Sequence, residues 1–180
     1  MNKMKKGIIL YQSKYGATEK YAKWLQEKTG FARMETKKAS LSDVLPYDTI
    51  ILGGGVYASS IAGLNFLKKH MDKLTDKQVL VFAVGASPYD EKFIAQCKDM
   101  HFKDELKNLP LFYCRGAWDM EKMTFLHKTL CNMLKKAVAK QDPATFEPWQ
   151  TALFSVGGEA CDWTDESYLA PILAAVQEGT

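Results

Sequence analysis

Gly7-Ile8-Ile9-Leu10-Tyr11 is a continuous apolar run too short for a helix, and a loop of small and hydroxyl residues, Gln12 to Thr18, separates it from an amphipathic stretch beginning at Glu19. A strand that is apolar at successive positions is buried on both faces, which calls for helices packed on either side of a sheet. A strand, a short loop and a helix start also gather unpaired backbone N–H groups at the positive end of the helix dipole. The chain must therefore build a layered α/β sheet with an anion-binding corner near residue 15.

The same pattern recurs downstream. Tyr47–Leu52 reads as a strand entering Gly53–Ser60, Gln78–Val84 as one entering Gly85–Asp90, and Leu111–Cys114 as one entering Arg115–Trp118. Phe31–Thr36 is a weaker strand, placed at an edge because Arg33 and Glu35 resist burial. Between them lie helical patterns at Thr18–Lys28, closed by Thr29-Gly30, at Leu64–Leu74 and at Glu91–Met100, and a short turn from Ser40 that Pro46 ends. This alternation predicts a parallel sheet with helices on both faces. After Trp118 the pattern changes. Met120–Lys140 is helical, with Met123, Leu126, Leu130, Met133, Leu134 and Ala137 on one side, a stripe that reads as a packing face. Gln141–Cys161 has no period, and Asp162–Gln177 forms a last helix.

A length of 180 residues fits one domain. Its net charge of +3 is spread over lysines on helical faces, which argues against a nucleic-acid partner. Cys97, Cys114, Cys131 and Cys161 are too far apart for a CxxC pair and form no ligand pattern with His70, His101 and His127, so free thiols and no metal are expected. The longest apolar runs fall short of a membrane span, and the basic start is followed by too short an apolar stretch for a secretory signal, so a cytoplasmic location is expected.

In a parallel sheet all strand C-terminal ends share one edge, so the three loops converge there. The first offers Ser13, Lys14, Tyr15, Gly16, Ala17 and Thr18; it is neither a Walker A loop nor a dinucleotide loop, which leaves a single phosphate. In the second, Gly54 and Gly55 allow close backbone approach to a flat ligand, Tyr57 can stack on it, and Val56 and Ala58 flank it. The third offers Gly85, Ala86, Ser87 and Tyr89. A phosphate at one end and aromatic faces at the other describe a phosphorylated, ring-bearing cofactor.

The stretch Tyr11–Thr18 resembles the FMN phosphate loop of flavodoxins, Thr/Ser-x-Thr/Ser-x-x-Gly-x-Thr, through Ser13, Gly16 and Thr18. Leu52–Ser59 resembles the loop beside the isoalloxazine, and Val84–Asp90 occupies the place of the third. The resemblance implies a flavodoxin-like three-layer α/β fold, a five-stranded parallel sheet in the order 2-1-3-4-5, and FMN as cofactor. Within the family the chain is most similar to the menaquinone-dependent protoporphyrinogen oxidase branch, through Cys114–Trp118, the long helix after it, Gly157-Gly158-Glu159, Trp163, and an extra helix-and-loop segment at about 118–161. That likeness implies an FMN-dependent oxidoreductase passing electrons from a reduced organic substrate, of the protoporphyrinogen type, to a quinone, with Trp118–Leu134 bordering the substrate. The alternative is a flavodoxin-type electron carrier with a redox protein partner. The mildly basic charge departs from acidic electron carriers and suits an enzyme making peripheral contact with an anionic membrane. Ala58 stands where flavodoxins usually place glycine, which implies a preference for two-electron steps.

Overall fold

In the computed structural model, which describes residues 6–57, 59–156 and 159–179, the elements run β1 Gly7–Gln12, α1 Ala17–Thr29, β2 Ala32–Glu35, α2 Leu41–Val44, β3 Thr49–Tyr57, β4 Ser60–Ile61, α3 Leu64–His70, β5 Gln78–Gly85, α4 Glu91–His101, β6 Leu111–Arg115, β7 Ala117–Trp118, α5 Phe125–Val138, α6 Pro148–Ser155, β8 Cys161–Asp162 and α7 Ala170–Glu178. The parallel strands lie in the order β2-β1-β3-β5-β6, with β4 antiparallel beside the end of β3. Counted over the parallel strands alone, this is 2-1-3-4-5.

Strand alternation sends successive side chains to two separate cores. Ile8, Leu10, Ile50, Leu52, Val79 and Val81 pack with Leu64, Leu67, Cys97 and Phe102 on the face of α3 and α4. Ile9, Tyr11, Ile51, Leu80 and Phe82 pack with Tyr21, Leu25, Leu169 and Ile172 on the face of α1 and α7. Both faces of the sheet are covered, which is why its strands read as unbroken apolar runs. The edge strand β2 keeps Arg33 half-buried by laying its guanidinium 5.2 Å from the Tyr11 ring centroid.

Four elements differ from the sequence reading. The strand does not end at Leu52. It runs through Gly53–Gly55 to Tyr57, because Phe82 of the next strand fills the space that a Cβ on Gly53 would occupy. The helix after Trp118 is confined to Phe125–Val138, and its apolar stripe is not a packing face: Leu126, Leu130, Met133 and Leu134 are exposed. The stretch 141–161 is not patternless. Asp142 caps a 3-10 turn at Pro143–Thr145, and α6 follows with a capping box from Glu147 and Gln150. The last helix does not begin at Asp162, which pairs in β8; Asp165 caps a 3-10 turn at Glu166–Leu169 that leads into α7 at Ala170.

The extra segment leaves the sheet at β7 and returns at β8, which pair antiparallel through Ala117↔Asp162 and Trp118↔Cys161. A polar strap closes this base: Lys20 of α1 donates to Asp162 at 2.9 Å and to Thr164 Oγ1 at 2.7 Å. Burial pushes the Asp162 carboxyl up, but hydrogen bonds from Thr164 and Lys20 outweigh it and hold it down at about 2. A carboxyl lowered by folding stabilises the protein above its unfolded value near 3.8 and loses that contribution as pH falls toward 2. Because its side chain is 57% exposed, Asp162→Asn is expected to cost no more than about 1 kcal/mol at pH 7. In urea denaturation the gap from the parent should narrow between pH 4 and pH 2; a gap that is constant with pH would remove the charge as its cause.

Candidate functional site

At the C-terminal edge of the sheet, the ends of β1, β3, β5 and β6 and one side of α5 enclose a cavity of about 570 Å³, within the range of about 300–1,000 Å³ usual for ligand pockets. A more polar cavity of about 310 Å³ adjoins it over the start of α1, and an apolar one of about 140 Å³ lies under α5 and α6. Trp118 lines all three.

The first loop is shaped by two contacts. Ser13 Oγ accepts from Gly16 N–H at 3.1 Å, and Gly16, at φ +97°, turns the chain into α1. The helix's first internal bond is Lys20 N–H to Gly16 C=O at 3.0 Å, so the N–H groups of Ala17, Thr18 and Glu19 precede it and remain for an anion. Ser13, Tyr15, Ala17 and Thr18 line the main cavity, and Gly16 lines the polar one. Lys14 lines neither: its ammonium lies 3.4 Å from His127 Nε2 on α5.

Along β3, Gly55, Val56 and Tyr57 line the cavity, whereas Gly54 does not. A Cβ on Gly54 would stand 2.0 Å from the Ala62 carbonyl oxygen, so this glycine admits the protein's own backbone where the sequence reading has it admitting a ligand. Ala58 lies outside the described residues. Burial pushes the Tyr57 hydroxyl up, against a hydrogen bond from the Lys14 backbone, so it remains a neutral phenol at the wall. In the third loop Gly85 and Ala86 line the main cavity, while Ser87 lines the apolar one. Tyr89 is 60% exposed and packs edge-on to Tyr113 at 6.2 Å, away from all three cavities. Arg115 pins the third loop by donating from Nε to the Ala86 carbonyl at 3.2 Å while its guanidinium rests 4.2 Å from the Trp163 ring centroid.

His127 is the residue that sequence reasoning missed. Its Nδ1 lies 2.5 Å from Tyr15 OH, and its ring is tilted over Tyr57 with centroids 5.8 Å apart. A Lys14 ammonium has only hydrogens to offer, so Nε2 accepts and Nδ1–H donates to Tyr15. Nothing in the sequence could pair residues so distant in the chain, and the apolar stripe on α5 drew attention to its other side.

A family model for the flavodoxin domain matches residues 8–145, most of the sheet and the whole of this loop set. The chain belongs to the flavodoxin-domain family. No curated protein sequence matches it. Among solved structures it is similar to a flavoprotein in complex with FMN from Lactobacillus acidophilus NCFM, at 19% identity over 62% of this chain and 92% of that one, with a TM-score of 0.44. It is also similar to the Trp repressor binding protein from Bacillus subtilis, at 18% identity over 62% and 84% with a TM-score of 0.46, and to a flavodoxin from the domain Archaea, at 14% over 71% and 92% with a TM-score of 0.39. These scores lie under 0.5, so membership rests on the domain match, in keeping with the strand order.

FMN is the cofactor of this flavodoxin-domain site, and the residues present fit it. The helix start offers phosphate donors, Tyr57 offers an aromatic wall, and the Trp118 indole N–H is buried without a partner among the described residues. An acceptor on a bound ring system would satisfy that N–H. Trp118→Phe is therefore expected to weaken FMN binding about tenfold, without lowering the stability of the FMN-free protein, which sheds an unpaired donor. Fluorescence titration with FMN and urea denaturation test both halves; unchanged affinity would remove Trp118 from the cofactor's partners.

Proposed function

We propose that this flavodoxin-domain protein is an FMN-dependent oxidoreductase that takes electrons from a reduced organic substrate of the porphyrinogen type and passes them to a quinone. The observation that supports this is the roof over the cavity. Trp118, Met123, Leu130 and Leu134 extend the FMN site into an apolar chamber, which an electron carrier working through an exposed flavin edge does not need. The cofactor supplies electron or hydride transfer when bound. The chain's own residues bind and enclose. The α1 start and Ser13 loop would hold the phosphate end, Tyr57 and the Gly85–Ala86 turn would flank the ring, and α5 would limit water above it.

The Tyr15–His127–Lys14 cluster fastens that roof to the phosphate loop, so chamber and cofactor site are held as one unit. The likeness to the menaquinone-dependent protoporphyrinogen oxidase branch, with its extra segment in the same place, supports the substrate and acceptor named. Steady-state assays of the FMN-loaded protein with a porphyrinogen as donor and soluble quinones as acceptors test the proposal. Quinone-dependent oxidation at many turnovers per flavin is the expected result. Rapid reduction of a one-electron protein acceptor with no oxidation of small substrates would replace it with the carrier reading.

A further inference from the structure

Helix α5 touches the body along a narrow face that includes His127 and the fully covered Val138. Its other side holds large apolar side chains out from the surface: Phe125 is 86% exposed, Leu126 73% and Met133 62%, and the ridge continues to Leu130 and Leu134, exposed where that side meets the cavity-facing one. Such a contiguous apolar surface marks an interaction site.

Charge identifies what it meets. Along α5 and the turn after it stand Lys128, Lys135, Lys136 and Lys140 with no acidic residue before Asp142, whereas Lys122, ahead of the helix, is paired with Asp119 at 3.1 Å. Along the helix itself the side chains that ring the apolar ridge therefore carry charge of one sign. A protein partner selects by charges of both signs in register. Lysines of one sign around a protruding apolar ridge suit a uniform negative field, with their stems covering apolar surface while the ammonium groups reach outward. Among the described residues no helix is long and apolar enough to cross a membrane, which leaves a helix lying in the interface plane.

We propose that α5 docks the protein on the surface of an anionic lipid bilayer, with Phe125, Leu126 and Met133 inserted among the acyl chains and the lysines against the headgroups. This goes beyond the proposed reaction and does not depend on it. Leu130 and Leu134 belong both to the exposed ridge and to the wall of the FMN cavity, so docking brings the cavity's α5 wall against the lipid, the phase in which an apolar reactant would dissolve.

The test is flotation of the FMN-loaded protein with phosphatidylcholine vesicles and with vesicles in which phosphatidylglycerol replaces about a third of that lipid. Partitioning at least about tenfold stronger onto the anionic vesicles is expected, falling steeply between about 0.1 M and 0.5 M salt. Phe125→Ser/Met133→Ser, which alters no cavity-lining residue, should lose about tenfold or more of that binding with FMN affinity unchanged, and Lys128→Gln/Lys136→Gln should lose several-fold. Retained FMN binding verifies that each variant is folded, and none of these readouts requires turnover. Absence of binding to anionic vesicles, equal binding to neutral ones, or retention of binding by the serine variant would overturn the proposal. So would a dimer in solution that the serine variant converts to monomer, since the ridge would then be a contact between copies.

Discussion

Gly54→Ala is expected to destabilise the protein by about 3 kcal/mol, through overpacking and lost hydrogen bonds together. Gly54 lies mid-sheet, in register with Gln12 on one side and Ala83 on the other, so β3 cannot shift sideways to make room. The added Cβ would meet the Ala62 carbonyl oxygen at 2.0 Å and Ile61 Cγ2 at 2.8 Å. Because the first of these is backbone, relief requires β4 to draw away from β3. That movement strains the Val56↔Ile61 and Tyr57↔Ser60 pairs and the Ala62 N–H to Gly55 C=O bond, the contacts that fix Tyr57 at the cavity wall. Loss of FMN affinity should therefore accompany the loss of stability. Urea denaturation followed by far-UV circular dichroism measures the first, with Gly30→Ala as comparison. At Gly30 the space is open and only its φ of +71° resists, so a cost near 1 kcal/mol is expected. Equal losses at the two positions would show that space is not what Gly54 provides.

Gly54 also shows where sequence reading reached its limit. The layered sheet and its strand order were legible because apolar runs such as Ile8–Leu10 and Ile50–Leu52 announce strands covered on both faces, and the loops that follow β1 and β5 announce the binding edge. Gly54 was misread because close approach looks the same in sequence whether the approaching atoms belong to a ligand or to the Ala62 backbone. The α5 stripe misled for a related reason. A helical period records that one side is apolar but does not say what covers it, and here the covered side carries His127, Cys131 and Val138. Tyr89, an aromatic in a site loop, was drawn off by Tyr113 and solvent. His127 and Trp118 face Tyr57 only because β7 and β8 fold the extra segment back over the sheet edge. No local pattern encodes that pairing of two short strands.

Gly16→Val should produce the opposite outcome from Gly54→Ala: an intact fold and about a hundredfold weaker FMN binding, the order expected from 2–3 kcal/mol of backbone strain at a site that must be over-determined to persist. Nothing lies within 4 Å of a Cβ placed at Gly16, so the substitution does not overpack. What resists is the torsion. At φ +97° and ψ −23° a β-branched residue is strongly disfavoured, and the loop relieves itself by turning the peptide away. Doing so breaks the Gly16 N–H to Ser13 Oγ bond and disperses the Ala17, Thr18 and Glu19 N–H groups that converge on the anion. The core beneath α1, built on Tyr21, Ala22 and Leu25, keeps its packing, so thermal unfolding of the FMN-free variant should differ little from the parent. Riboflavin separates the causes, since it carries the same ring without the phosphate. If the loop binds the phosphate, riboflavin affinity changes little while FMN affinity collapses to the same level. A parallel fall in both affinities would place the damage at the ring and take the phosphate away from this loop.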